Sequence, residues 1–494
     1  MSEQILLQGK LLGIDDFLIH EPKANLAGAV TDERLAARSL WSTLLSEVLP
    51  RALLAELELA KLLLGSSGGG QFLVILPGTV REAAELFLQT ASQQIGAVTG
   101  GRVKLLWSIT ENLGDWTVVR KRLTDELQRK QNAPLAAGQS FEPFVEATSL
   151  DAPDVFTPEL ARALREASHV GWAPGLPAII TADAAEAKHS WPLSANLSAD
   201  GISIARHSAP GEGTRTSAYT RELGHRAQGR RIWGVLRGDV DHFAIRLRRV
   251  TSIEEHVQVS MLYKQFFAGE LEVLCSLPDF WRRVTVLYSG GNDFAVYGSW
   301  DALLGLAREL QRVFQRFTEE NLKEFPGAEA KTITMSVALA AHSRDPLASV
   351  YEECGRNLAL AKAADKDCIY LLDRILEWKQ LTDAADLKEA VGRIGEEFRA
   401  GRQFLQELTV LYQKVSSSLD WQSDHEKLLR RAYRFQRRYN RVASSGRDRE
   451  FQKLRTHLIN EIVGRNVKPA PGKHLKLRPA GVVALEWARL AQEV

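Results

Sequence analysis

Cysteine is scarce, at three in 494 residues, which excludes a disulfide-stapled scaffold and fits a reducing compartment. All three (Cys275, Cys354 and Cys368) lie outside residues 136–231, so a cysteine zinc ribbon there is excluded as well. No uncharged apolar run is long enough to cross a bilayer. The opening Met1-Ser2-Glu3-Gln4 has no basic start leading into an apolar core, so no signal peptide is expected. These absences predict a cytoplasmic protein with no membrane contact. Net charge is nearly absent too: the formal total is +2, which alone argues neither for nor against nucleic acid.

What is present is an ordinary globular composition, 45% hydrophobic and 25% charged. At roughly 150 residues per domain the length predicts about three domains. The charge is unevenly placed. Between His425 and Ala480 sixteen Lys and Arg stand against four acids, a balance of +12 that leaves −10 for the remainder. Such asymmetry predicts a polyanion-binding part joined to a more acidic body. Tyr433, Phe435 and Tyr439 alternate with Arg430, Arg431, Arg434, Arg437, Arg438 and Arg441, a mixture suited to stacking on bases and pairing with phosphates. The same stretch reads equally as a solvated basic helical face with its aromatics in a core.

Periodicity organises the rest. Ile5–Ile19 reads as a strand, a turn and the start of another element. Leu40–Leu64 has helical spacing and ends at Gly65-Ser66-Ser67-Gly68-Gly69-Gly70, followed by a strand at Phe72–Leu76. Val80–Ile95 reads as a helix and Val103–Ile109 as a strand. From Ala136 to Arg231 the pattern weakens, and only Thr157–Ala167 looks helical. Ile232–Leu236 is again a strand, running into Arg237-Gly238-Asp239-Val240-Asp241. A long helical segment, Ile253–Leu274, precedes a hairpin over Val284–Tyr297 with Ser289-Gly290-Gly291-Asn292-Asp293 at its turn. A helix from Leu303 and a strand at Thr332–Ala341 follow. Leu381–Glu461 is helical in period.

The two α+β stretches can be laid on each other. Ser67-Gly68-Gly69-Gly70-Gln71-Phe72 matches Ser289-Gly290-Gly291-Asn292-Asp293-Phe294 at a shift of 222. Gly9-Lys10 falls on Gly238-Asp239 and Trp107-Ser108 on Met335-Ser336, at shifts of 229 and 228. Three landmarks in one order predict a duplicated domain. Only the second copy has carboxylates, Asp239 and Asp293, where the first has Lys10 and Gln71.

If the strands carrying Asp239 and Asp293 are neighbours, the two carboxylates converge. That suits Mg²⁺, which takes oxygen ligands and bridges carboxylates to substrate phosphates. Paired ions of this kind activate a ribose hydroxyl and stabilise a departing pyrophosphate. Neighbouring glycines let a triphosphate approach the backbone. Lys362 and Lys366, four apart, are expected on one helical face for phosphate oxygens. Each feature alone also reads plainly, since Asp-X-Asp and Gly-Gly-Asn are common turns and spaced lysines are commonly solvated.

Their order resembles a known family. Asp239-Val240-Asp241-His242-Phe243, then Tyr288–Asp293, then Ala361-Lys362 with Lys366, is similar to the palm shared by GGDEF diguanylate cyclases and CRISPR polymerases. The duplication favours the latter, and a stand-alone cyclic-dinucleotide synthase fits neither the double palm nor the basic stretch. Gly13-Ile14-Asp15-Asp16-Phe17 resembles the opening of the degenerate first palm in the large subunit of type III CRISPR effector complexes. Ser67–Gly70 with Phe72–Pro77 resembles its Gly-rich hairpin, and the Phe266-Phe267 pair also fits. The nearest form is Csm, type III-A.

The resemblance implies an α+β fold: two ferredoxin-like palms (GGDEF/cyclase-like) at 1–135 and 232–380, a connector without zinc ribbon at 136–231, and a basic all-α bundle at 381–494. It implies an RNA-guided antiviral subunit whose palm makes cyclic oligoadenylate from ATP with Mg²⁺ or Mn²⁺ when target RNA binds. Asp239, Asp241 and Asp293 would be catalytic, and Asp239, Asn292 and Asp293 would hold metal. Ser289, Gly290, Gly291, Asn292, Lys362 and Lys366 would bind nucleotide. Arg430, Arg431, Arg434, Arg437, Arg438 and Arg441 would bind RNA. CRISPR RNA, target RNA and other effector subunits are the implied partners. Two departures stand out. No His-Asp doublet occurs in the sequence, so no HD nuclease is expected. The usual Gly-Gly-Asp-Asp reads Gly290-Gly291-Asn292-Asp293, which keeps a neutral oxygen but loses a charge. A catalytically inactive scaffold that anchors the RNAs is the alternative.

Overall fold

The structure, a computed structural model, describes residues 4–20, 30–132, 155–194, 201–213, 217–397 and 479–493. The basic stretch with Arg430, Arg431, Arg434, Arg437, Arg438 and Arg441 lies outside the described residues. The chain packs as two units: Met1–Arg226 with Ile232–Ala359, and Ala227–Arg231 with Leu360–Val494.

The first unit begins with β1 (Gln4–Leu12), which Gly13 (φ 85°) turns into the short α1 (Ile14–Ile19). Helix α2 (Asp32–Glu56) starts where the Thr31 side chain accepts a hydrogen bond from the Arg34 amide, with Asp32 and Glu33 in its first turn. Then come β2 (Leu64–Gly68), β3 (Gln71–Pro77), α3 (Arg81–Thr99), β4 (Lys104–Glu111) and α4 (Trp116–Asn132). The strands form an antiparallel sheet in the order β2-β3-β1-β4, the ferredoxin-like arrangement. Side chains alternate across a strand, so Leu7, Phe72 and Val74 join the core with Trp41 and Leu88 of α2 and α3. Leu6 and Leu73 face the other way, against Val119 and Leu123 of α4.

The stretch in which the sequence offered little is built of short pieces. Helix α5 (Pro158–Glu166) is capped by Thr157. Strands β5 (His169–Trp172), β6 (Ile180–Thr181), β7 (His189–Ser194) and β8 (Ile202–Ser203) pair in the order β6-β5-β7-β8, and α6 (Thr220–His225) follows. Trp172 and Ile180 share the core of the preceding sheet.

The fold then repeats. Strand β9 (Trp233–Val240) leads to α7 (Phe243–Arg249) and α8 (Ile253–Gln265). The expected single helix to Leu274 is interrupted by a π-helical turn, Phe266–Glu270, before α9 (Leu271–Ser276). Strands β10 (Val284–Ser289) and β11 (Asp293–Ser299), α10 (Trp300–Asn321), β12 (Ile333–Leu339) and α11 (Leu347–Ala363) complete it. The strand order, β10-β11-β9-β12, reproduces that of the first sheet.

Register makes the correspondence specific. Gly9 pairs with Phe72 and Trp107, as Gly238 pairs with Phe294 and Met335. Both glycines are needed for the same reason: a Cβ at Gly9 would lie 2.1 Å from the Phe72 ring, and one at Gly238 2.4 Å from the Phe294 ring. Phe294 in turn stacks on Phe267 at 5.8 Å, within a buried cluster that includes Phe266 and Phe314.

In the second unit β13 (Cys368–Leu371) and β14 (Arg374–Glu377) form a hairpin, followed by α12 (Trp378–Glu397) and α13 (Pro479–Gln492). The Lys388 ammonium lies 5.8 Å from the Trp487 ring centre, and the Arg230 amide donates to the Leu490 carbonyl at 2.8 Å. Among the described residues no helix is long and apolar enough to cross a membrane.

Candidate nucleotide and metal site

Strand pairing brings Asp239 and Asp293 together. They are direct register partners on β9 and β11, both half-buried. The turn between β10 and β11 closes through the Gly290 amide, which donates to the Asp293 carbonyl at 2.7 Å. A Cβ at Gly290 would stand 1.9 Å from Asp293 Oδ1, so only glycine leaves that carboxylate in place. The Asn292 carbonyl accepts from the Val240 amide at 2.9 Å, and its side-chain Nδ2 donates to Asp239 Oδ1 at 3.3 Å. Asn292 therefore sits beside the carboxylate pair.

The pair is electrostatically strained. Burial, and then the Asp239 charge, push Asp293 up to about 6. Tyr288 supports it from the neighbouring strand, its hydroxyl donating to Asp293 Oδ2 at 3.4 Å; burial raises that phenol well above its ordinary range, so it stays a donor. Arg237, two residues before Asp239, is locked in place: it lies 4.2 Å from the Tyr351 ring centre and 3.4 Å from Asp15. Tyr351 closes the group by donating to Asp15 Oδ1 at 2.9 Å.

The first sheet completes the site. Gly68, Gly69 and Gly70 all have positive φ (129°, 58° and 73°). A Cβ at Gly69 would lie 3.2 Å from the Gly291 amide nitrogen and 4.0 Å from Asp293 Oδ1. The two glycine turns that matched in sequence thus meet in space. Beside them opens a cavity of about 390 Å³, lined by Asp15, Asp16 and Gly69 from one copy and Ser289, Gly290 and Asp293 from the other.

Not every expected residue joins the pair. Asp241 is not part of the carboxylate pair: it is fully buried, its oxygens accepting from the Thr332 and Thr334 hydroxyls at 2.9 and 2.7 Å. Strand β9 ends at Val240, and the chain there turns the second Asp of the motif into the core. The Ser289 hydroxyl is engaged as an acceptor for the Ala205 amide at 3.1 Å, although the residue still lines the cavity. Lys362 and Lys366 do not share a helical face, because α11 stops at Ala363 and Lys366 and Asp367 both take positive φ (57° and 46°). Both lysines belong to the second unit.

Sequence reasoning missed Arg237 and Tyr351. Asp15 carried a signal, since it lies in the Gly13–Phe17 stretch; the others are single residues without a local pattern.

Residues 232–370 match the family described as Cas10/Cmr2, second palm domain. The CRISPR system single-strand-specific deoxyribonuclease Cas10/Csm1 (subtype III-A) of Enterococcus italicus is 27% identical over 158 residues, 30% of this chain and 19% of that protein. Its counterpart from Thermococcus onnurineus is 26% identical over 172 residues, 32% of this chain and 21% of that protein. These matches span about a fifth of the relatives' length. A crystal structure of a Csm1–Csm4 cassette in complex with cA4 superposes with a TM-score of 0.73 at 18% identity, covering 99% of this chain and 70% of that one. Residues 232–370 are thus similar to the second palm of Cas10/Cmr2 proteins, and the chain as a whole shares the fold of the Csm1–Csm4 cassette.

Proposed function

We propose that this chain is the large subunit of an RNA-guided antiviral effector and that its second palm joins ATP into cyclic oligoadenylate when target RNA is bound. The observation that carries the reading is the facing pair Asp239 and Asp293 beside a cavity walled by both palms. In the reaction a ribose hydroxyl of one ATP attacks the α-phosphorus of the next. A P–O bond forms, the bond to pyrophosphate breaks, and the hydroxyl proton leaves to a carboxylate or water. The superposed Csm1–Csm4 cassette with cA4 supports the product class.

The donor set fits a hard divalent cation. Asp239, Asp293 and the Asn292 amide oxygen are all oxygen donors, and the raised Asp293 marks a pair short of positive charge. Among the described residues no group of three His, Cys, Asp or Glu converges, so Asn292 and substrate phosphate would have to add to the two carboxylates in holding the ion. Mg²⁺ or Mn²⁺ bound there supplies charge to activate the hydroxyl and to stabilise pyrophosphate. Gly290 and Gly291 leave backbone exposed to the triphosphate. Arg430, Arg431, Arg434, Arg437, Arg438 and Arg441 hold RNA, and further effector subunits complete the particle. Single-stranded DNA cleavage is no part of this reading, because the 494 residues carry no His-Asp doublet.

One observation favours a second reading, a silent scaffold that anchors CRISPR RNA and target RNA: the Asn292 amide donates to Asp239 where an acid would add a metal ligand. Incubating the assembled complex with target RNA, ATP and Mg²⁺ or Mn²⁺ decides. Oligoadenylate that disappears in Asp239→Ala supports the enzyme. No product, or a yield unchanged by Asp239→Ala, supports the scaffold.

A further inference from the structure

Away from the carboxylate pair lies a second polar cluster, buried between the palms. Glu47 of α2 is 2% exposed. Its Oε2 accepts from Lys264 Nζ of α8 at 2.5 Å, from Arg51 Nη1 at 2.8 Å and from the Ser67 hydroxyl at 2.8 Å. Ser67 Oγ in turn accepts from Lys264 at 3.1 Å and Arg51 at 3.3 Å. Every group is satisfied by another of the four, across sequence separations of up to 217 residues.

The cluster adjoins the glycine turns. Ser67 is the residue before Gly68, and a Cβ at Gly68 would lie 3.3 Å from Glu47 Oε1 and 3.7 Å from the Gly291 amide nitrogen. Lys264 stands two residues before the π-helical turn that seats Phe267 on Phe294, the neighbour of Asp293. Three glycines in a row with positive φ give the first turn little stiffness of its own. Something outside it must hold it. Burial alone would raise the Glu47 carboxyl, yet Lys264 and Arg51 outweigh it and hold it below the ordinary range, so the acceptor stays charged.

We propose that Glu47 is a positioning residue: bonded to Ser67 in its own palm and to Lys264 in the other, it fixes the two glycine turns against each other and sets the mouth of the cavity. Its bearing on nucleotide rests on the function proposed above, but the positioning itself can be read without any ligand.

The test is hydrogen exchange on the full chain, nucleotide-free. Ser67→Ala removes the tether and leaves the ion pairs; Lys264→Met removes the bond to the other palm while Arg51 keeps Glu47 paired, so no charge is stranded. Exchange is expected to quicken about tenfold at residues 64–72 and 289–293 in both, the effect of one lost charge-assisted hydrogen bond, while β12 keeps its rates. Ser67→Thr, which keeps a hydroxyl, should match the parent. Parent rates at both turns, or an acceleration spread evenly into β12, would overturn the proposal. A second arm titrates a non-hydrolysable ATP analogue with Mg²⁺. Binding by the parent and about threefold weaker binding by Ser67→Ala, half the effect of that bond on a logarithmic scale, extends the proposal to the site. No binding by the parent sinks the nucleotide reading, while the exchange result still decides the positioning.

Discussion

Asp239 and Asp293 stand directly opposite each other on β9 and β11, and that proximity, added to burial, lifts Asp293 from 3.8 to about 6. A carboxyl raised in the folded state binds its proton more tightly there than in the unfolded chain. Its contribution to stability is complete below pH 3.8 and is lost as pH rises through 6. At about 1.4 kcal/mol per pKa unit, the loss is up to roughly 3 kcal/mol. Asp293→Asn should be more stable than the parent at pH 7 by an amount of that order, with the difference shrinking towards pH 4. Denaturant midpoints of both proteins across that range check it.

Asn292 is the neutral member of the site. Asn292→Asp places a third carboxylate beside Asp239 and Asp293, so without divalent ions it should melt lower than the parent. Mg²⁺ or Mn²⁺ should raise its melting temperature more than the parent's, because the added charge is also an added ligand. Melting curves with and without each ion, alongside oligoadenylate yield in the assembled complex, measure both effects.

Asp241 predicts the opposite pattern. Asp241→Ala leaves the Thr332 and Thr334 hydroxyls without their buried acceptor, at a cost of about 2–4 kcal/mol. The affinity for divalent ions should be unchanged, since this carboxylate serves the core and not the pair. Unfolding experiments and Mn²⁺ titration followed by paramagnetic relaxation separate the two.

The glycines beneath Phe72 and Phe294 offer a matched pair. Gly9→Ala and Gly238→Ala each drive a methyl into the facing ring, and overpacking of this kind costs about 1–3 kcal/mol. Equal losses in denaturant unfolding would show that the two sheets use the same packing device. A neutral result at either glycine would contradict the ring contact described for it.

Much of this was legible in the sequence because it is local and repeated. Ser-Gly-Gly before Phe, and Gly before Lys10 or Asp239, mark turns and strand positions whose spacing survives duplication, and the registers reproduce them. The strands β5–β8 were hidden because each has only two to six residues and finds its partner through tertiary packing. Asp239 and Asp241 look alike in an Asp-X-Asp motif; only the end of β9 at Val240 separates a half-buried position from a fully buried one. Glu47 and Lys264 could not be paired by any pattern, since what joins them is the meeting of two sheets.

The register that opposes Asp239 to Asp293 opposes Lys10 to Gln71 in the other copy. There a cation faces an amide, and no like-charge repulsion has to be overcome when the sheet forms. The first copy therefore has no facing pair of acids at this position. The second does, so one inherited fold has been divided into a half free of that repulsion and a half that carries it.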